Sequence, residues 1–175
     1  PNSGLGILTN ANSIRWGRSD LQFTSLGVNQ FTTGGTNLNL NSSNSYTQFN
    51  LAFNFPYFGN TYSYIYISTE GRIGWDYLQM FNENNSNAAL GGSNFIAPLW
   101  DNLRTDQPGD GIFADATVPD QVTIRWNATT HVGGFDVQFS ATLFADGRIQ
   151  FNYGPGNTNL TPTIGISGTP IGSAN

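Results

Sequence analysis

Apolar and polar positions alternate with period two over much of the chain, and the apolar ones are rich in Ile, Val, Phe, Tyr and Trp. Alternation of this kind places successive side chains on opposite faces of a strand, so each run predicts a half-buried β-strand. The clearest runs are 121–129, with Val122, Ile124 and Trp126 inward, and 135–144, with Phe135, Val137, Phe139, Ala141 and Leu143 inward. A third, 148–153, turns Ile149, Phe151 and Tyr153 inward, which leaves Thr123, Arg125, Gln138, Ser140, Arg148 and Gln150 outward across the three strands. Further strands are expected at 21–28, 47–55, 62–68, 72–76, 95–100, 111–117 and 162–167. No window carries a 3.6-residue apolar stripe flanked by caps.

Turn chemistry orders these strands. Asp146-Gly147 between two runs predicts a tight primed hairpin turn with positive φ at its centre, pairing 135–144 with 148–153. Glu70-Gly71 plays the same part between 62–68 and 72–76, and Val118-Pro119-Asp120-Gln121 reads as a type I turn with Pro at its second position. About ten short strands need a second sheet to bury one face each. The expected fold is therefore all-β: a two-sheet antiparallel β-sandwich, jelly-roll-like, forming one domain over 1–175. Asn/Ser/Gly-rich stretches at 29–46 and 82–94 read as surface loops.

Composition narrows the class. Only 10% of residues are charged, so neutral polar groups must carry solubility, a composition that points to an extracellular protein. All six basic residues are Arg and the net charge is −5, which leaves no basic stripe for a phosphate backbone and excludes nucleic acid as a partner. Absence of Cys removes disulfides, thiolate metal sites and thiol nucleophiles together. No apolar run approaches the roughly 18 residues of a membrane-spanning helix.

The stretch "PLWDNLRTDQPGDG" at 98–111 gathers Asp101, Asn102, Asp106 and Asp110. Carboxylate and amide oxygens suit a hard cation such as Ca²⁺, although the spacing is not that of an EF-hand loop. The same residue types also stabilise turns by accepting backbone N–H groups, with no ion needed. Acid pairs such as Asp101 with Asp110, or Glu70 with Asp76, are what glycoside hydrolysis would require. His131 is the only histidine, has no Gly-x-Ser-x-Gly motif to serve, and cannot make a multi-His metal centre, so catalysis is not expected.

Tyr62, Tyr64 and Tyr66 fall on one strand face, where they form either core or a platform for stacking sugar rings. Trp100 and Trp126 occupy core-like strand positions, whereas Trp16, beside Arg15 and Arg18, is the better exposed aromatic. Asn41, Asn84, Asn127 and Asn159 head glycosylation sequons, which an Asn-rich chain produces readily. Residues 1–20 read as a first strand of this domain or as a strand able to pair with a neighbouring subunit's sheet edge.

Three blocks in order carry a family resemblance: "FNFPYFGNTYSYIYISTEGRIGW" at 53–75, "NFIAPLWDNLRT" at 94–105, and "FSATLFADGRIQFNYG" at 139–154 followed by "TIGIS". Together they resemble the extracellular nidogen-like (NIDO) domain and similar modules of bacterial secreted proteins, over roughly 49–167. Glu70 stands where such modules more often have Asn. The resemblance implies a core over 47–167 preceded by N-terminal strands and a polar loop over 1–46. It also implies a non-catalytic adhesion or structural module, secreted or at the cell surface. The expected partners are extracellular matrix, a cell-surface glycan or further copies of the chain, the last as a filament or surface layer joined through terminal strands.

Overall fold

The computed structural model describes residues 14–16, 23–27 and 30–168, with backbone alone at 14–16 and 23. In chain order the strands are β1 (Ile14–Trp16), β2 (Phe23–Ser25), β3 (Thr36–Asn37), β4 (Tyr46–Tyr57), β5 (Asn60–Ser68) and β6 (Ile73–Gly74). A single 3₁₀ turn (Tyr77–Gln79) and a short helix α1 (Asn87–Gly91) follow, then β7 (Phe95–Trp100), β8 (Leu103–Arg104), β9 (Gly111–Asp115), β10 (Gln121–Thr130), β11 (Asp136–Phe144), β12 (Ile149–Gly156) and β13 (Thr163–Ser167). They form two antiparallel sheets. The larger has eight strands in the order β2-β1-β12-β11-β10-β9-β3, with β8 also on β10, and the smaller has five, β13-β7-β6-β5-β4.

The main core lies between the sheets. Ile65, Ile67, Ile73 and Ile96 from the smaller sheet meet Ile124, Trp126, Val137, Phe139, Ala141, Leu143, Ile149 and Phe151 from the larger, all essentially inaccessible to water. Trp126 and Phe139 stack 4.9 Å apart, and the Trp126 indole N–H donates to the Ser68 carbonyl at 2.8 Å, tying one sheet to the other. Phe135, expected inward, is 38% exposed instead: it lies outside β11, in a loop closed by Thr130 N–H donating to its carbonyl.

Both sheets are covered on their outer sides as well, which the alternation did not announce. Over the larger sheet, Arg125 donates to the Gly34 carbonyl and sits 4.0 Å from the Phe113 ring, while Gln150 donates to Gln30. The predicted loop 29–46 is thus in part a strap, and Ser140, expected outward, is buried, as is Asn152. Over the smaller sheet, the excursion 76–92 buries a second cluster of Met80, Leu90, Phe95, Ala97 and Trp100.

β7 feeds both cores by alternation, which slips once along it. Its register against β13 shifts between Thr163 and Gly165, so Ile96 and Leu99 join the main core while Phe95, Ala97 and Trp100 join the second. A bulge of this kind turns successive side chains to a new face. It occurs at Pro98, whose carbonyl accepts the Tyr153 hydroxyl at 2.8 Å.

Three turns differ from expectation, the first being the Glu70-Gly71 hairpin, a three-residue loop with positive φ at Gly71 alone, closed by Ser68 N–H to the Arg72 carbonyl. The Asp146-Gly147 hairpin is a three-residue loop in which only Gly147 has positive φ, closed by Phe144 N–H to the Arg148 carbonyl, the bulged type rather than a primed two-residue turn. Asp120 has φ 60°, a left-handed conformation that a type I turn at 118–121 would not contain.

Candidate functional site

Two surfaces and the buried turn beneath them are where chemistry could reside. The buried turn comes first because it positions both. Glu70 is 1% exposed at the tip of the β5–β6 hairpin, and its oxygens accept the backbone N–H groups of Asn44 and Leu103, each at 3.0 Å, with the Thr69 hydroxyl at 3.3 Å. One carboxylate thereby joins three stretches of chain. Burial pushes its pKa up, and the hydrogen bonds from Leu103, Asn44 and Thr69 and the charge of Arg72 pull the other way.

Arg72 is also fully buried. Its guanidinium donates to the carbonyls of Gln79, Met80 and Asn82 at 2.7–3.1 Å and lies 4.4 Å from the Trp100 ring and 5.0 Å from the Phe95 ring. Burial pulls its pKa down to about 10, with the Glu70 charge acting against that pull. The Trp100 indole donates to the Asn82 carbonyl and the Ser68 hydroxyl to that of Met80, so the excursion is held by its backbone from several sides. This pattern fixes structure: carbonyls need a donor wherever they are buried, and one guanidinium supplies several.

The 98–111 loop starts beside this hub. Asp101 accepts the N–H groups of Asn102 and Thr161, each at 2.9 Å, and the Asn102 carbonyl accepts His131 N–H at 3.0 Å. Asp106 pairs with Arg104 through both carboxylate oxygens, and that contact holds its carboxyl far below the usual range. Asp110 has one carboxylate oxygen buried without a hydrogen-bond partner, and burial raises its pKa, opposed by the Thr129 side chain. Among the described residues no three His, Cys, Asp or Glu side chains are grouped so as to hold a metal ion. Asp101 and Asp106 are engaged in separate local contacts, while the Asp106 charge reaches Asp110.

Glu70 and Asp76, read as a possible acid pair, also go separate ways. Glu70 is consumed by backbone donors, whereas Asp76 is exposed and caps the 3₁₀ turn by accepting Leu78 N–H at 3.0 Å and the Gln79 amide at 2.9 Å.

The tyrosine stripe divides. Tyr62 stacks on Trp75 at 4.3 Å at the margin of the main core, and its hydroxyl accepts the Asn94 amide. Tyr64 and Tyr66 instead join an outer patch: Tyr66 lies 5.6 Å from Tyr64, 5.5 Å from Tyr46 and 6.1 Å from Tyr77, and Tyr46 lies 4.9 Å from Phe81. Tyr77 and Phe81 are 46% and 44% exposed. The cause of the division is the register shift between Asn50 and Phe55, where β4 spends five steps against two on β5, so that Tyr62 pairs with buried Phe55 and Tyr64 with exposed Asn50. The predicted set thus missed Tyr46, Tyr77 and Phe81; Tyr46 was findable as the aromatic one step before the predicted strand 47–55. The backbone of Trp16 lies opposite Ile149, and its side chain falls outside the described residues.

The N-terminal segment has one described strand, β1, which pairs with β12 of its own sheet. The remainder of 1–20 lies outside the described residues. No helix among the described residues is long and apolar enough to cross a membrane.

These features define an all-β, two-sheet module whose smaller sheet carries an aromatic outer patch over a buried Glu-Gly-Arg turn. The chain belongs to the NIDO-related family, whose model matches residues 19–175, and the family points to an extracellular β-rich module. The match takes in residues 19–48, ahead of the blocks in which the resemblance was first visible. No curated protein and no solved structure gives a significant match.

Proposed function

We propose that the protein is a non-catalytic extracellular module that attaches a secreted or surface protein to matrix or cell-surface glycan, with the outer patch of Tyr46, Tyr64, Tyr66, Tyr77 and Phe81 as its contact surface. The observation that carries this reading is the patch itself: partly exposed rings gathered on one outer sheet face, with the exposed amides of Gln48 and Asn50 beside them. Phenol rings offer apolar faces and polar tips, the combination that sugar rings and aromatic-rich interfaces use. The charged groups support the non-catalytic half of the reading, since Glu70, Asp101 and Asp106 are each taken up by backbone or Arg donors.

Binding to immobilised glycan and matrix-protein panels tests the proposal. Wild-type protein binds at least one member, and Tyr64→Ala with Tyr66→Ala weakens that binding by at least about tenfold, as loss of central aromatic contacts does. Silence across the panels, or binding indifferent to the tyrosines, overturns it. Hydrolytic activity abolished by Asp101→Asn with Asp110→Asn would overturn the non-catalytic half. Calcium at Asp101, Asn102, Asp106 and Asp110 would have to displace Arg104 from Asp106, and a melting temperature that rises with added CaCl2 is the signature of such a site.

A further inference from the structure

Among the described strands β4 has one neighbour, β5, so its other rim of backbone N–H and C=O groups has no strand partner there. Sheet edges are commonly blunted by short strands, charged side chains, proline or bulges, because an open rim templates pairing with another chain. The other edges fit that description. β2 and β3 end the larger sheet with three and two residues, and β13 is only five residues long. β4 has twelve residues, YTQFNLAFNFPY, with no charged side chain and no proline before Pro56. Its irregularity begins after Asn50, so Tyr46–Asn50 is a regular run against Tyr64–Ser68.

We propose that Tyr46–Asn50 is a homotypic pairing edge, on which two copies of this chain join antiparallel about a two-fold axis near Gln48, making one continuous sheet from the two five-stranded ones. The absence of charge along β4 admits a second copy, and the self-complementarity of its run is what favours one. The chain carries −5, so most ways of bringing two copies together place carboxylates near carboxylates. Along β4 there are none; Glu70, which accepts the Asn44 N–H just before the strand, is buried, and Glu83 and Asp76 lie off the strand, on the Asn44 amide and the Gln79 amide. The run is also self-complementary. Centred on Gln48, the pairing opposes Tyr46 to Asn50 and Thr47 to Phe49 of the second copy, and Gln48 to itself. Amides and a phenol then meet on the outer face, where Gln48 already donates to Asn50 at 3.0 Å within one chain. Thr47 and Phe49 meet on the inner face, where they lie opposite Ile67 and Ile65. Cross-strand pairs of these kinds stabilise a sheet, and an isologous contact closes on itself as a dimer.

This goes beyond the adhesion reading and stands without it, because the association state is measured with no ligand present. Sedimentation velocity over a wide concentration range compares wild type, Gln48→Lys, Gln48→Asp and an equimolar mixture of the two variants, with circular dichroism confirming that each is folded. Wild type is expected to form a dimer and no larger species. Each variant alone puts like charges at the axis and raises the dimer Kd by at least about tenfold, and the mixture restores the dimer through the Lys–Asp pair. A wild-type protein that stays monomeric, variants that dimerise as wild type does, a mixture that stays monomeric, or growth into open-ended polymers through pairing of β4 with β13 would each overturn it.

Discussion

Two hairpin turns of one local type, Thr69-Glu70-Gly71-Arg72 and Ala145-Asp146-Gly147-Arg148, close in the same way and sit in opposite environments. Each has a glycine of positive φ, 74° and 88°, and each is closed by the N–H of the residue before it donating to the arginine carbonyl, at 2.9 Å from Ser68 and 3.0 Å from Phe144. In the exposed turn the acid and the arginine satisfy each other: Arg148 pairs with Asp146 and covers the Phe144 ring at 4.3 Å. In the buried turn they are not paired. Glu70 serves the backbone of two other segments, and Arg72 serves the excursion. An acid–Gly–Arg turn therefore acts as a local closure where water surrounds it and as a junction where it is buried. A surface ion pair contributes little, whereas a buried carboxylate or guanidinium that is removed strands the groups it served.

The largest expected contrast is at glycine. A Cβ on Gly71 would come within 1.9 Å of the Leu99 carbonyl oxygen, so Gly71→Ala is expected to cost at least about 3 kcal/mol or prevent folding. Gly147→Ala is expected to cost about 1–2 kcal/mol for the left-handed backbone. Urea unfolding of the pair reads the difference, and equal losses would remove the distinction between junction and closure.

Next are the acids. Glu70→Ala leaves the N–H groups of Asn44 and Leu103 without their acceptor and is expected to cost about 2–5 kcal/mol, against about 0.5 kcal/mol or less for Asp146→Ala. Arg72→Met against Arg148→Met sharpens the comparison in place rather than size. Only the first should open the excursion 76–92 to limited proteolysis, because Arg72 donates to three of its carbonyls whereas Arg148 pairs with Asp146 in its own turn.

The smallest effect is in pH dependence. Burial raises the folded pKa of Glu70 above its ordinary 4.5, so its contribution to stability is full below that value and is lost as pH rises through the raised one. Asp106, lowered by Arg104, acts in the opposite sense: its contribution is present above its ordinary 3.8 and is lost as pH falls. Chemical denaturation across this range should show the Glu70 component vanish in Glu70→Gln and the Asp106 component vanish in Asp106→Asn.

The two turns also mark what a linear reading can and cannot reach. Period two located β10, β11 and β12 with their inward residues, because each of those strands keeps one face on the main core, β12 as far as Tyr153. It failed where a second contact came from far along the chain. Ser140 looks outward until the strap at 30–36 lies over its sheet, and Glu70 looks like any turn acid until Asn44 and Leu103 arrive. Tyr62 was grouped with Tyr64 and Tyr66 because a register shift on the partner strand leaves no mark on β5 itself. The helix Asn87–Gly91 is too short to show a period and is marked only by Ser86, whose hydroxyl accepts Ala89 N–H. In the 98–111 loop the contacts were not legible: Arg104, inside the same stretch, is the partner of Asp106.

The contacts of Arg72 carry an expectation about the order of folding as well as about positions in space. The carbonyls of Gln79, Met80 and Asn82 have their common donor only once the turn before them has closed and β7 has brought Phe95 and Trp100 alongside. The excursion is therefore expected to be among the last parts to assemble and the first to unwind. Substitutions within 76–92 should speed unfolding far more than they slow refolding, since contacts made after the transition state leave the climb to it unchanged.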